Sequence, residues 1–196
     1  MSTFKIGVLL FDNAELLDFA GPIQVFSGLH YLYPETCDSV KTIGLSPEIV
    51  VSKLFMKIIP EYLIGDFDDK LDMLLIPGGF GTRPLIKDID ALNRIETLCS
   101  NSERLATVCT GSLVAAKLGK LKGLRATTHY LATDLLKKID PSITVDRSER
   151  FYDHGSIIVS EGVSAGIDMS FHLVEKYFGR QKADEVRKYI EYYPLK

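Results

Sequence analysis

The 196-residue chain predicts an α/β fold with a mostly parallel central sheet and helices on both faces. Two observations carry that expectation: short continuous apolar runs, as strands buried on both faces require, and helical periods that alternate with them. Residues 5–10 form the first run, and 72–76, 105–108, 143–145 and 157–159 resemble it, so all five are candidates for the sheet. Helical periods fall at 22–32, 89–100, 111–118, 131–139 and 167–178; in the second, Leu92, Ile95, Leu98 and Cys99 share one face. Residues 48–59, rich in Val, Ile and Phe, read as a short strand pair beside the sheet, and 182–193 have helical character. With no repeat, low-complexity tract or linker-like stretch, one domain over 1–196 is expected.

Composition narrows the function classes. A formal net charge of −3, with no Lys/Arg cluster on an expected helix face, gives no footprint for nucleic acid. The N-terminal apolar stretch is short and lacks a small-residue cleavage site, and no run is long enough to span a bilayer, so a soluble, cytoplasmic protein without a membrane partner is expected. The three cysteines, Cys37, Cys99 and Cys109, are odd in number and irregular in spacing, which predicts neither a disulfide framework nor a metal site.

In an open α/β sheet ligands bind beyond the carboxyl ends of the strands, and three features fall there. The run Leu105-Ala106-Thr107-Val108 stops at Cys109 and passes through Thr110-Gly111-Ser112 into helical sequence, the pattern of a nucleophile elbow. A thiol at a helix N-terminus leans toward the thiolate, although a cysteine ending a buried strand is also an ordinary core residue. Ile76-Pro77-Gly78-Gly79-Phe80-Gly81 ends the preceding strand with a glycine pair whose N–H groups suit an oxyanion hole with that of Thr110; it is equally ordinary turn chemistry. Asp18, in Leu16-Leu17-Asp18-Phe19-Ala20-Gly21-Pro22, precedes an expected helix start at Gly21-Pro22, where an acid serves as a cap or a proton carrier.

The order and wording of these motifs resemble the ThiJ/PfpI superfamily, flavodoxin-like relatives of the class I glutamine amidotransferases, over nearly the whole chain. Asp18-Phe19-Ala20-Gly21-Pro22, Ile76-Pro77-Gly78-Gly79, Cys109-Thr110-Gly111-Ser112-Leu113-Val114, Arg125-Ala126-Thr127-Thr128-His129-Tyr130 and Ser164-Ala165-Gly166-Ile167-Asp168 are most similar to the isocyanide (isonitrile) hydratase branch. They also resemble the sensor halves of AraC-type regulators, which carry an additional helix-turn-helix region not found in these 196 residues, so a stand-alone enzyme is expected.

The resemblance implies a flavodoxin-like three-layer sandwich and a homodimer. It also implies a nucleophile at Cys109, an acid partner at Asp18, backbone donors near Gly78, Gly79 and Thr110, and no metal or organic cofactor. On that reading the substrate is a small uncharged isocyanide in an apolar site with Phe19 and Phe80 as walls, converted through a cysteine thioimidate to an N-substituted formamide. Peptidase-like members have histidine directly after the nucleophile, where this chain has Thr110. His129 either acts as an accessory to Cys109 or turns away to bond backbone. His30, His154 and His172 are expected in solvated or core roles, and Cys37 and Cys99 in structural ones. Three other readings stay open: a cysteine redox or stress sensor that catalyses nothing, glyoxalase or deglycase chemistry on small aldehydes, and a ligand-sensing domain related to the regulators.

Overall fold

A computed structural model describes residues 3–51 and 56–193. Strand β1 (Ile6–Leu10) is buried along its whole length, as a doubly covered strand must be, and leads into α1 (Leu16–Leu32). Next come β2 (Lys41–Gly44), the pair β3 (Ile49–Val50) and β4 (Lys57–Ile58), and the short β5 (Tyr62–Leu63). Then β6 (Met73–Ile76) is followed by α2 (Thr82–Leu85), α3 (Ile89–Ser100), β7 (Leu105–Val108) and α4 (Gly111–Lys117). Beyond these lie β8 (Arg125–Ala126), α5 (Thr133–Ile139), β9 (Thr144–Val145), β10 (Phe151–Asp153), β11 (Ile157–Ser160), α6 (Ala165–Phe178) and α7 (Arg180–Tyr189).

The central sheet has the order β5-β2-β1-β6-β7-β11-β10, parallel except for the antiparallel edge pair β10–β11. From β1 the chain moves one way to β2, and from β6 it moves the other way to β7. Right-handed crossovers therefore place α1 and α3 on opposite faces, giving the flavodoxin-like three-layer fold. Helices α1, α6 and α7 pack together on one face, and α4 packs with α2 and α5. Register puts Ile76 beside Thr107 and Val108 beside Ser160, so the loops after β6, β7 and β11 leave the sheet side by side.

Three expectations are corrected. Residues 143–145 are not part of the central sheet: β9 pairs in parallel with β8 alone, and its two residues, one exposed and one half-buried, lack the two-sided burial of a central strand. The first helix begins at Leu16, and Gly21-Pro22 lies inside it. That dipeptide serves packing: a Cβ on Gly21 would stand 2.7 Å from Ile167 of α6. The sheet also has members that the apolar runs did not reveal, the short strands β2, β5 and β10. Strands β3 and β4 do form an antiparallel pair within 48–59. The connection at 52–55 lies outside the described residues, as do the first two and last three residues of the expected 1–196 domain. Among the described residues no helix is long and apolar enough to cross a membrane.

Candidate active site

Strand β7 ends at Val108, and Cys109 then takes φ +58°, a left-handed conformation that costs a non-glycine residue strain. Its surroundings hold it there. The Cys109 N–H donates to the carbonyls of Ser160 and Glu161 at 3.2 and 3.0 Å, while its carbonyl accepts from Ser112 Oγ at 2.9 Å and Thr128 Oγ1 at 3.0 Å. Gly111 lets α4 start directly against the neighbouring strand, since a Cβ there would lie 2.2 Å from the Ile76 carbonyl oxygen. The sulfur is thereby carried out of the sheet at the junction of three strand ends.

Asp18 is fully buried in the first turn of α1 but does not cap it; the residue at the cap position is Glu15. Its carboxylate instead ties two distant loops together, Oδ2 accepting from Gly78 N at 2.9 Å and Oδ1 from Val163 N at 3.1 Å. The Cys109 thiol completes the set as a hydrogen-bond partner of the same carboxyl. Burial is the main cause that raises Asp18 to about 7, opposed by the Cys109, Gly78 and Val163 hydrogen bonds.

The expected lean toward thiolate is overturned. Burial first, and the Asp18 charge second, push Cys109 up to about 12, against the N–H groups of Thr110 and Val163 that point at the sulfur. Near neutrality the pair therefore holds a thiol donating to a carboxyl that ionises in the physiological range.

The glycine pair is also arranged differently from the expected oxyanion hole. Gly78 N–H is taken by Asp18, and Gly79 N–H donates to Thr110 Oγ1 at 2.9 Å, while that hydroxyl donates back to the Gly79 carbonyl at 3.1 Å. Thr110 N–H does reach the sulfur, and its fellow donor is Val163. Gly79, at φ +125°, is required by the close approach of the segment before α1, because a Cβ would stand 2.3 Å from the Asn13 carbonyl oxygen.

A cavity of about 240 Å³ opens above the thiol, with Cys109, Thr110, Gly79, Phe80 and His129 in its wall. His129 is brought close through Gly162, whose Cβ position lies 2.7 Å from the imidazole Cδ2 and 3.4 Å from Cys109 Sγ. Its Nδ1 also accepts from Leu131 N at 3.3 Å, so the ring faces the cavity and bonds backbone at once. The wall is less apolar than expected: Phe19 is buried in the core instead, and Glu15 and Arg83 contribute charge. Cys37 and Cys99 are buried, free and likewise pushed up to about 12 by burial. His30 and His154 bond the carbonyls of Cys37 and Arg125, and His172 bonds Asp153, all outside the cavity. Among the described residues no cluster of three or more His, Cys, Asp or Glu side chains is arranged to hold a metal ion.

Sequence reasoning missed Val163, Glu15 and Arg83. Val163 has φ +54°, which a β-branched residue avoids, so nothing in its identity announces a strained turn presenting an N–H to both Asp18 and Cys109. Its one signal is position, between β11 and the helix-start motif at Ser164.

The family model described as "DJ-1/PfpI family" matches residues 4–176. An isonitrile hydratase of Pseudomonas putida is 33% identical over 190 residues, covering 97% of this chain and 79% of that protein. The HTH-type transcriptional regulator CdhR of Pseudomonas aeruginosa is 36% identical over 118 residues, covering 60% of this chain and 34% of the regulator. Among solved structures, a ThiJ/PfpI family protein from Pseudomonas syringae superposes with a TM-score of 0.87 at 24% identity, covering 100% of this chain and 78% of that one. The chain belongs to the DJ-1/PfpI family.

Proposed function

We propose that the protein is a cysteine-dependent isocyanide hydratase, adding water to an isocyanide to give an N-substituted formamide. The observation that carries this reading is the buried couple of the Asp18 carboxyl and the Cys109 thiol at the base of a small cavity. The terminal carbon of an isocyanide accepts first a nucleophile and then a proton, and the couple supplies both. As sulfur bonds to that carbon, the thiol proton passes to the Asp18 carboxylate and then to the same carbon, leaving a thioimidate on Cys109. Water then adds to the carbon, its proton passing by way of Asp18 to nitrogen. The carbon–sulfur bond breaks, the hydroxyl proton returns to sulfur, and the formamide leaves. A general acid/base works best with a proton affinity near the operating pH, and about 7 suits Asp18 to both halves.

The similarity to an isonitrile hydratase over 97% of the chain supports the same reading. The likeness to a third of a transcriptional regulator favours ligand sensing as the second reading. Turnover of p-nitrophenyl isocyanide, methylglyoxal and small amides decides among them. Formamide production from the isocyanide, lost in Cys109→Ala, is expected. Wild-type protein that leaves isocyanide untouched overturns the proposal.

A further inference from the structure

Two charged side chains stand in the wall of the cavity above Cys109, Glu15 and Arg83. Arg83 is half-buried on α2, and its guanidinium lies over the face of Phe80, 5.3 Å from the ring centroid. Phe80 is itself 53% exposed at the cavity. Every Asp and Glu of the chain is among the described residues, and none forms an ion pair with Arg83. A partly desolvated guanidinium that forms no ion pair with any Asp or Glu lies over an aromatic face at a ligand cavity, and so has donors ready for an incoming anion.

We infer that the site takes substrates bearing a carboxylate, which Arg83 binds while the reacting carbon lies against Cys109. For the reaction this rests on the hydratase reading; for the recognition it does not. The planar fork of Arg matches a carboxylate with two parallel hydrogen bonds, and the cation–π contact with Phe80 keeps the guanidinium at the cavity beforehand. The ligand is a monoanion rather than a phosphate dianion, because one guanidinium supplies one charge. Glu15 in the same wall opposes a dianion twice as strongly. Glu15 also raises Asp18 through its charge, which places it on the Asp18 side and leaves selection of the anion to Arg83. The wholly uncharged substrate expected from sequence is thus replaced by one with an anionic tail.

The test uses two alkylating agents of nearly equal size, iodoacetate and iodoacetamide, with the rate of Cys109 modification followed by mass mapping in wild type, Arg83→Met and Arg83→Lys. The iodoacetate-to-iodoacetamide rate ratio is expected to fall at least about tenfold in Arg83→Met, with the iodoacetamide rate retained and Arg83→Lys between the two. An equal ratio in wild type and Arg83→Met overturns the inference. Should Arg83→Met fail to fold, the wild-type ratio is expected to fall as salt rises, and a salt-independent ratio overturns it. Isocyanoacetate and its ethyl ester extend the test to turnover. An Arg83-dependent alkylation ratio without turnover of either isocyanide supports the carboxylate site and removes the hydratase reading. Equal kcat/KM for acid and ester keeps the hydratase and overturns the carboxylate site.

Discussion

Asp18→Asn separates the structural from the chemical role of the buried carboxyl, because it changes stability and rate in different ways. Burial moves the Asp18 carboxyl from 3.8 to about 7 on folding, a difference of about 4 kcal/mol at roughly 1.4 kcal/mol per decade of proton affinity. The sign follows from the direction. A carboxyl that binds its proton more tightly in the fold contributes stability that is fully present below about 4 and is lost as pH rises through about 7. Asn does not titrate, so it escapes that loss. It does leave one of the N–H groups of Gly78 and Val163 facing an amide NH2, which cannot accept, at a cost of roughly 1–3 kcal/mol. Urea denaturation should therefore find Asp18→Asn within about 1 kcal/mol of wild type near pH 5, where wild type has already lost roughly 1.6 kcal/mol of that contribution, and more stable than wild type by roughly 1–3 kcal/mol near pH 9. Isocyanide kcat/KM should fall on the order of a hundredfold to ten-thousandfold at every pH. A stability difference that does not change with pH would refute the burial argument. Full turnover in the variant would refute the role of Asp18 as proton carrier and leave His129 or a bound water in its place.

The pH dependence of kcat/KM in the wild type should rise through about 7, where Asp18 ionises, and stay level up to the alkaline range where Cys109 loses its proton; a profile that falls across 7 contradicts the thiol–carboxylate ground state. Gly111→Ala forces a Cβ to within 2.2 Å of a backbone oxygen and should cost about 3 kcal/mol or more in denaturation, whereas Gly123→Ala, at φ +74° in open space, should cost only about 1–2 kcal/mol. Alkylation should modify Cys109, which lines the cavity, well ahead of Cys37 and Cys99; faster reaction at either of those would contradict the site. Sedimentation should show a homodimer. Helix α4 is buried and cannot supply the patch, so it falls to the exposed Tyr130 and Leu131, and a monomer at micromolar concentration removes the proposal.

The sequence was most legible where one physical signal dominated. The helix at Ile89–Ser100, polar on one face and apolar on the other, and the strand at Leu105–Val108, buried on both, match the expected bounds. Helix α1 was harder to read because it packs against both α6 and α7 and mixes apolar residues around its circumference, so Gly21-Pro22 stood out as punctuation although the helix runs through it. The short strands β2, β5 and β10 are only partly buried and carry polar residues, too few for a clear period. At the site, local sequence pointed to Cys109, Thr110, Gly78, Gly79 and Asp18 as neighbours. It could not show that Asp18 would use up the Gly78 N–H, nor that burial would outweigh the start of α4 at the sulfur. Both are consequences of loops meeting across the sheet, with Val163 reaching Asp18 from 145 residues away in the chain.

The central claim is that Cys109 bonds to the carbon of an isocyanide. Intact-protein and peptide mass spectrometry during turnover, quenched in acid, tests it most directly. An adduct equal to the mass of the isocyanide should appear on the peptide containing Cys109, decay as formamide forms, and be absent from Cys109→Ala, which should produce no formamide. Formamide production by Cys109→Ala at the wild-type rate would contradict it.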